Sequence, residues 1–412
     1  MKKALITLAL LCQAPAYAGE KILTFDPGVT PAAQARLVNS RGGRVLKEFT
    51  FINGVLAEFP EDVRAADLSR APGVDSAEDD MEIYWLASDE PQALDSVRAS
   101  LRDLLNAGPA PVKLPAVSTQ APISPVYITT TNAQGKTERL PWSAVRMGAP
   151  KAWAHTRGRG ARVAVLDGGV ECSHPDLASN CAPGYNVLAP GTPPDDVKGH
   201  GTHVAGIIAG ALNWSGMAGI APEATIVPVK VLNSSGTGKL SQIIEGMEWA
   251  VKQKVDIMNM SLGAPKYFES QAKAVKAARK AGVLVVCAAG NFAGDIGYPA
   301  GYEDSVAVTA VDYSNKLASF SCSGPAADFA APGVRIYSAY PVNSFLLADG
   351  TSQAAPHVSG VAALAVGLGV KGEAALRAAL VKASFNIGLP QAQQGAGIPL
   401  PAKLIELFPA AD

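Results

Sequence analysis

The chain has 412 residues, 48% of them hydrophobic and 17% charged, with 35 Lys and Arg against 36 Asp and Glu for a formal net charge of -1. That apolar content excludes a disordered chain and is enough for two or three domains with a sizeable core. Near-balanced charge leaves no electrostatic footprint for a polyanion, so no nucleic-acid partner is expected.

Met1-Lys2-Lys3, the apolar run Ala4 to Leu11 and the ending Ala16-Tyr17-Ala18 read as a secretory signal, residues 1–18, cleaved after Ala18. The apolar run is too short to span a bilayer and no later uninterrupted stretch replaces it, so no membrane anchor is expected. Cys12 follows Leu10-Leu11 with no small residue before it, which argues against lipid attachment. The expected location is secreted or periplasmic, an oxidising compartment. There Cys172, Cys181, Cys287 and Cys322 admit three pairings; the short separation of Cys172 and Cys181 favours that bridge, which leaves Cys287 with Cys322. Metal ligation is the alternative, but no CxxC or HxxxH spacing supports it.

Residues 19–86 read as strand (Ile22 to Phe25), helix (Pro31 to Val38), strands (Val45 to Phe49, Val55 to Phe59), helix (Asp62 to Arg70) and strand (Val74 to Glu82). Thr30 caps the first helix, Pro31 opens it, and Gly42-Gly43 lies beyond its end. The β-α-β-β-α-β order is that of a small ferredoxin-like α+β unit. Residues 87–139 change character, with one amphipathic helix carrying Leu94, Val97, Leu101 and Leu104, then Pro109, Pro111, Pro115, Pro122 and Pro125. Proline at that density predicts an extended linker open to proteolysis.

From residue 140 to 412 apolar strands alternate with helices. The strands are Arg162 to Leu166, Thr225 to Val231, Ile257 to Met260, Val283 to Cys287 and Ser305 to Ala310, and the helices start near His200, Lys239, Phe268 and Ser352. The pattern predicts an α/β domain with a mostly parallel central sheet and helices on both faces, its site beyond the carboxyl ends of the strands.

Three motifs sit at element ends. Asp167 closes the strand Val163-Ala164-Val165-Leu166; alone it is an ordinary turn or cap residue. His200 lies in Gly199-His200-Gly201-Thr202-His203, where a metal pair with His203 has no third ligand nearby. Ser352, in Gly350-Thr351-Ser352-Gln353-Ala354-Ala355-Pro356, starts a helix whose unpaired amides favour developing negative charge; as a lone motif it is a cap. Together, in the order Asp, His, Ser, they have the chain order of a known catalytic triad.

These motifs, with His174-Pro175-Asp176-Leu177, Asn259-Met260-Ser261-Leu262-Gly263 and Ala288-Ala289-Gly290-Asn291, make the chain resemble the subtilisin-like serine proteases over roughly Leu140 to Leu407. The resemblance implies a secreted serine endopeptidase with Ser352 as nucleophile, His200 as general base and then acid, and Asp167 fixing the imidazole tautomer. Asn291 would donate to the oxyanion beside the Ser352 N-H. Gly236-Thr237-Gly238 and Ser261-Leu262-Gly263 would be the two edges between which an extended polypeptide substrate lies, and the weakly charged pocket near Gly263 and Ala289-Gly290 implies an apolar or aromatic P1 residue. The small N-terminal unit resembles the family's propeptide, an intramolecular inhibitor, so the chain would be made as a preproprotein and act as a monomer. No cofactor is required for catalysis; calcium is common in the family, yet the loop Ala211 to Gly216 offers few carboxylates, and no metal residue is assigned. Two departures stand out. Gln353 follows the nucleophile where the family often has Met, and Gly168-Gly169 replaces Thr-Gly or Ser-Gly, which removes a hydroxyl that would support the carboxylate. The rival readings are a catalytically silent binding module and an esterase or acyltransferase using the same triad.

Overall fold

The computed structural model describes residues 17–86 and 126–408. The signal segment before Tyr17, the helix through Leu94 to Leu104 and the proline-rich run lie outside the described residues. The chain divides into two compact units, Met1–Met81 and Glu82–Asp412.

The first unit contains β1 (Tyr17–Phe25), α1 (Pro31–Ser40), β2 (Arg44–Phe49), β3 (Gly54–Pro60), α2 (Ala65–Leu68) and β4 (Val74–Asp79). Its antiparallel sheet has the order β2-β3-β1-β4, so β1 is central, with Ile22 paired to Leu56 on one side and Glu78 on the other. Thr30 Oγ1 accepts from the Ala33 N-H at 3.4 Å with Pro31 in the first position, as the sequence predicts. Leu23, Phe25, Val38, Val55, Phe59 and Leu68 form one apolar cluster. The second helix is shorter than expected. A turn closed by Val63 N-H to the Pro60 carbonyl uses up its start, and Pro72 disfavours helical backbone at Ala71. The last strand stops at Asp79 rather than Glu82.

The second unit begins with β5 (Glu82–Tyr84) and continues with β6 (Tyr127–Thr131), β7 (Thr137–Pro141), α3 (Trp142–Met147), α4 (Ala149–Ala152), β8 (Arg162–Asp167), β9 (Tyr185–Asn186), α5 (His200–Ala209) and β10 (Thr225–Lys230). Then come β11 (Thr237–Lys239), α6 (Leu240–Lys252), β12 (Ile257–Met260), α7 (Glu269–Lys280), β13 (Leu284–Ala288), β14 (Val306–Val311), β15 (Ala327–Pro332) and the hairpin β16 (Ile336–Tyr340) with β17 (Ser344–Ala348). The unit closes with α8 (Thr351–Gly367), α9 (Glu373–Ala383), β18 (Ser384–Phe385), α10 (Gln391–Gln394), β19 (Ile398–Pro399) and α11 (Pro401–Leu407).

Seven parallel strands, in the order β15-β14-β13-β12-β8-β10-β9, make the central sheet. The five expected strands fall where the apolar runs place them. β9 has two residues and β15 reads Ala-Asp-Phe-Ala-Ala-Pro, so neither carries a β-branched run to announce it. α8 is buried from Thr351 to Val366, and its small residues permit close packing: a Cβ on Gly360 would lie 2.6 Å from Ile220. A helix buried on all sides belongs inside a core, and the apolar residues of this one run through the large cluster that also takes in Val165, Val204, Val286 and Val308.

Two expectations are corrected. The stretch read as linker up to Arg139 gives way to the hairpin of β6 and β7, because the prolines stop at Pro125 and the β-branched run Ile128 to Thr131 meets a turn at Asn132 to Gly135. Cys172 and Cys181 are bridged, with their Cα atoms 5.8 Å apart, but Cys287 and Cys322 are free buried thiols. Cys287 is held in register within β13 opposite Met260 and Ala307. The Cys322 N-H donates to the Gly290 carbonyl at 2.8 Å, and its Sγ packs on Gly290, three residues past Cys287. Even-number pairing ignores such placement.

Candidate active site

Three neighbouring strands, β8, β12 and β13, end together. Asn259 is in register with Val165 and Met260 with Cys287, so Asp167, Ser261 and the Ala289-Gly290-Asn291 turn all emerge at one carboxyl edge.

Asp167 is fully buried. Its Oδ2 lies 2.8 Å from His200 Nδ1, and its Oδ1 accepts the Gly168 backbone N-H at 2.6 Å. That amide is present whatever the side chain at position 168, so Asp167 Oδ1 keeps a backbone donor without a Thr or Ser hydroxyl there. Glycine on both sides of His200 is a packing requirement: Gly199 has φ +93°, and a Cβ on Gly201 would fall 2.1 Å from the Gly169 carbonyl and 2.9 Å from Asp167 Cβ. The start of α5 is tied down by Asp196, whose Oδ2 accepts from Thr202 N-H at 2.8 Å and Thr202 Oγ1 at 2.7 Å, and whose Oδ1 accepts from Gly199 N-H at 2.8 Å. Burial, then the Asp167 charge, pushes the Asp196 carboxyl upward from its ordinary pKa. Lys230, in register with Asp167, donates to the carbonyls of Gly168 and Asp195; burial lowers its pKa against the pull of Asp196 and Asp167.

The two histidines of the Gly-rich motif take different partners. His203 Nε2 lies 3.2 Å from the Ile336 carbonyl and 3.1 Å from that of Leu346, and burial drives its pKa down to about 4. It is a neutral core residue on the β16–β17 hairpin, so the metal pairing weighed from the sequence does not form.

Ser352 is the second residue of α8 and 2% exposed. Its Oγ donates to the Ser261 carbonyl at 3.2 Å, and Ser261 Oγ donates back to the Ser352 carbonyl at 2.8 Å. Beside it, Asn291 Oδ1 accepts from Thr351 N-H at 2.8 Å and Thr351 Oγ1 at 2.7 Å, while Thr351 Oγ1 accepts from Gly290 N-H at 3.0 Å. The Asn291 amide oxygen is thus held at the root of α8. The structure therefore joins Asp167 to His200, Ser352 to Ser261, and Asn291 to the residue next to Ser352.

The predicted edge Gly236-Thr237-Gly238 is occupied by the chain itself. β5 runs antiparallel to β11, with Tyr84 opposite Thr237, Ile83 opposite Gly238 and Glu82 opposite Lys239. Trp85 N-H donates to the Gly236 carbonyl and Gly263 N-H to the Trp85 carbonyl, both at 3.0 Å. The indole, 2% exposed, donates to the Gly238 carbonyl at 2.9 Å and packs on Phe268. Gly236, Thr237, Gly238 and Gly263 thus hold an extended segment by strand addition. Leu262 is buried, and the Ser261 hydroxyl bonds to the Ser352 carbonyl rather than to the added strand. Trp85, Thr351, Asp196 and Lys230 are the residues that sequence reasoning passed over. Only Asp196, a carboxylate shortly before a helix, left a local signal.

The loop expected as the place to look for calcium presents donors. Asp176 accepts from Asn213 Nδ2 and Met217 N-H, each at 2.8 Å, and among the described residues no three His, Cys, Asp or Glu side chains converge. Among the described residues no helix is long and apolar enough to cross a membrane.

Residues 158–397 match the model of the subtilase family. The chain is 47% identical to the M-protease of Shouchella clausii (strain KSM-K16) over 240 residues, which is 57% of this chain and 60% of that protein. It is 42% identical to the alkaline protease of Alkalihalobacillus alcalophilus over 316 residues, 75% of this chain and 77% of the relative. Against subtilisin E of Bacillus subtilis (strain 168) it is 34% identical over 342 residues, 82% and 76% of the two chains.

Proposed function

The chain belongs to the subtilase family of serine endopeptidases, and from that premise we propose that it cleaves polypeptides through Asp167, His200 and Ser352. The observation that carries the assignment of roles is the 2.8 Å contact between Asp167 Oδ2 and His200 Nδ1 at the end of a buried strand. A proton held on Nδ1 by the carboxylate leaves Nε2 as the base. His200 takes the Ser352 Oγ proton as Oγ attacks the scissile carbonyl, then passes it to the leaving amine, and a water molecule repeats the sequence to release the acyl group. Asn291 Nδ2 and the Ser352 N-H, one of the first-turn amides of α8, stabilise the oxyanion; removing such a side-chain donor costs about 2.7–4 kcal/mol in the related case.

The substrate lies as a strand along Gly236-Thr237-Gly238 and Gly263, in the manner of residues 82–86. The weakly charged walls near Gly263 and Ala289-Gly290 favour an apolar or aromatic P1 residue. Residues 1–18 are the export signal, and residues 19–86 are the propeptide, whose last residues fill the substrate groove until the chain is cut after residue 86 and before the β6–β7 hairpin. The mature enzyme is a secreted or periplasmic monomer that needs no metal for catalysis.

Casein digestion and fluorophosphonate labelling test the reading. Wild type digests casein and labels at Ser352; Ser352→Ala does neither. Digestion retained by Ser352→Ala refutes the assignment, and cleavage chiefly after Arg or Lys in a peptide library refutes the P1 preference.

A further inference from the structure

α8 contains an internal proline, Pro356, four residues after the nucleophile. Proline has no N-H, so the Ser352 carbonyl lacks the i+4 helical donor that residue 356 would otherwise supply. That acceptor sits in a buried first turn, where an unmet polar group is costly. The Ser261 hydroxyl fills the gap, donating to the Ser352 carbonyl at 2.8 Å. Its oxygen in turn accepts from Asn259 Nδ2 at 2.9 Å, and Asn259 Oδ1 accepts from Ser359 Oγ at 2.8 Å. Ser261, Asn259 and Ser359 are all fully buried. The path leaves α8 two turns past the nucleophile, crosses to the end of β12, and returns to the nucleophile's own carbonyl.

We infer that Ser359 and Asn259 are positioning residues for Ser352, acting through the Ser261 hydroxyl. The relay fixes the rotation of the Ser261 Oγ-H by making its oxygen an acceptor, so that its one proton is committed to the Ser352 carbonyl. This sets the tilt of the peptide that carries the nucleophile. The same contact brings the Ser261 carbonyl within 3.2 Å of Ser352 Oγ, so one residue holds the nucleophile at two points. Without Ser359, the Asn259 amide loses the donor that sets its orientation. It can then turn, offer its oxygen to Ser261, and draw the hydroxyl proton away from Ser352. None of these groups touches the scissile bond, so the effect falls on the geometry of attack rather than on substrate binding.

The inference rests on the serine-hydrolase reading, and the experiment separates the two. Full-length wild type, Ser359→Ala, Ser359→Thr, Ser261→Ala and the Ser261→Ala/Ser359→Ala double variant are matured, and each is assayed for peptide kcat and KM, fluorophosphonate labelling rate and thermal unfolding. Ser359→Ala is expected to lower kcat and the labelling rate about tenfold with KM within about twofold, and Ser359→Thr, which keeps a hydroxyl, to restore most of it. Because the two serines lie on one path, the double variant should lose less than the product of the single losses. Wild type that fails to label removes the hydrolase reading itself. Wild type and Ser359→Ala labelling alike, no rescue by Thr, or multiplicative losses in the double variant overturn the relay alone. Should Ser359→Ala not fold, the Thr variant and the Ser261→Ala comparison decide: Ser261→Ala with unchanged kcat is incompatible with the inference.

Discussion

Gly263 donates its backbone N-H to the carbonyl of Trp85 at 3.0 Å, while the Trp85 indole donates to the Gly238 carbonyl on the opposite edge at 2.9 Å. One residue therefore bridges both sides of the groove: its carbonyl holds the Gly263 edge, while its backbone N-H and its indole both hold the Gly236–Gly238 edge. A synthetic peptide with the sequence of residues 82–86 should be a competitive inhibitor of the mature enzyme. Replacing its Trp by Ala should weaken inhibition at least about tenfold, since a buried aromatic anchor carries much of such an interface. Equal inhibition constants for the two peptides would show that the indole contributes nothing.

The close approach of Gly201 to the Gly169 carbonyl makes Gly201→Ala a test of how tightly His200 must be held. A methyl group 2.1 Å from that oxygen forces the start of α5 away from β8 and stretches the contact with Asp167. We expect kcat to fall by about a hundredfold or more while circular dichroism stays that of a folded protein. Activity within threefold of wild type would show that the turn has slack.

pH should act on activity and stability in two separate ranges. With His200 as the proposed base, which must be neutral to act, activity should rise with pH through about 6 to 8. Stability depends on His203 and His357, whose burial lowers each pKa to about 4. Groups that are neutral when folded but titrate near 6.5 when unfolded stabilise the protein above pH 6.5. That contribution is lost as pH falls toward 4, because the unfolded chain binds the protons first. Thermal unfolding of the Ser352→Ala protein should therefore show a midpoint that drops between pH 6.5 and 4. His203→Gln should flatten that slope; an unchanged slope would remove His203 from the account.

Among the described residues the cysteines divide into a bridged pair and an inert pair. Burial raises the pKa of both Cys287 and Cys322, and a buried thiol that is not ionised does not react. Iodoacetamide should leave the native protein unmodified and alkylate both thiols after unfolding, as counted by mass spectrometry. Cys181→Ser should lower stability by about 2–3 kcal/mol, the scale for so short a loop, with little change in kcat. Rapid alkylation of the native enzyme would contradict the buried placement.

The placement of Asp167, His200 and Ser352 at element ends was legible in the chain. Asp167 ends an apolar strand, and His200 and Ser352 begin helices flanked by small residues; such patterns are local because strand ends and helix starts are set by nearby residues. The parallel sheet was legible for the same reason, since β8, β12, β13 and β14 are each continuous apolar runs. Only the folded arrangement decided what contacts span long separations. It left Cys287 and Cys322 unbridged, set His203 against the β16–β17 hairpin, and seated Trp85 against Gly238, 153 positions further along the chain. The hydrogen bond from Ser261 to the carbonyl stranded by Pro356 belongs to the same class. The sequence shows that a proline removes a donor, but which distant side chain supplies another depends on the packing of α8 against the end of β12, a property of the whole core rather than of any segment.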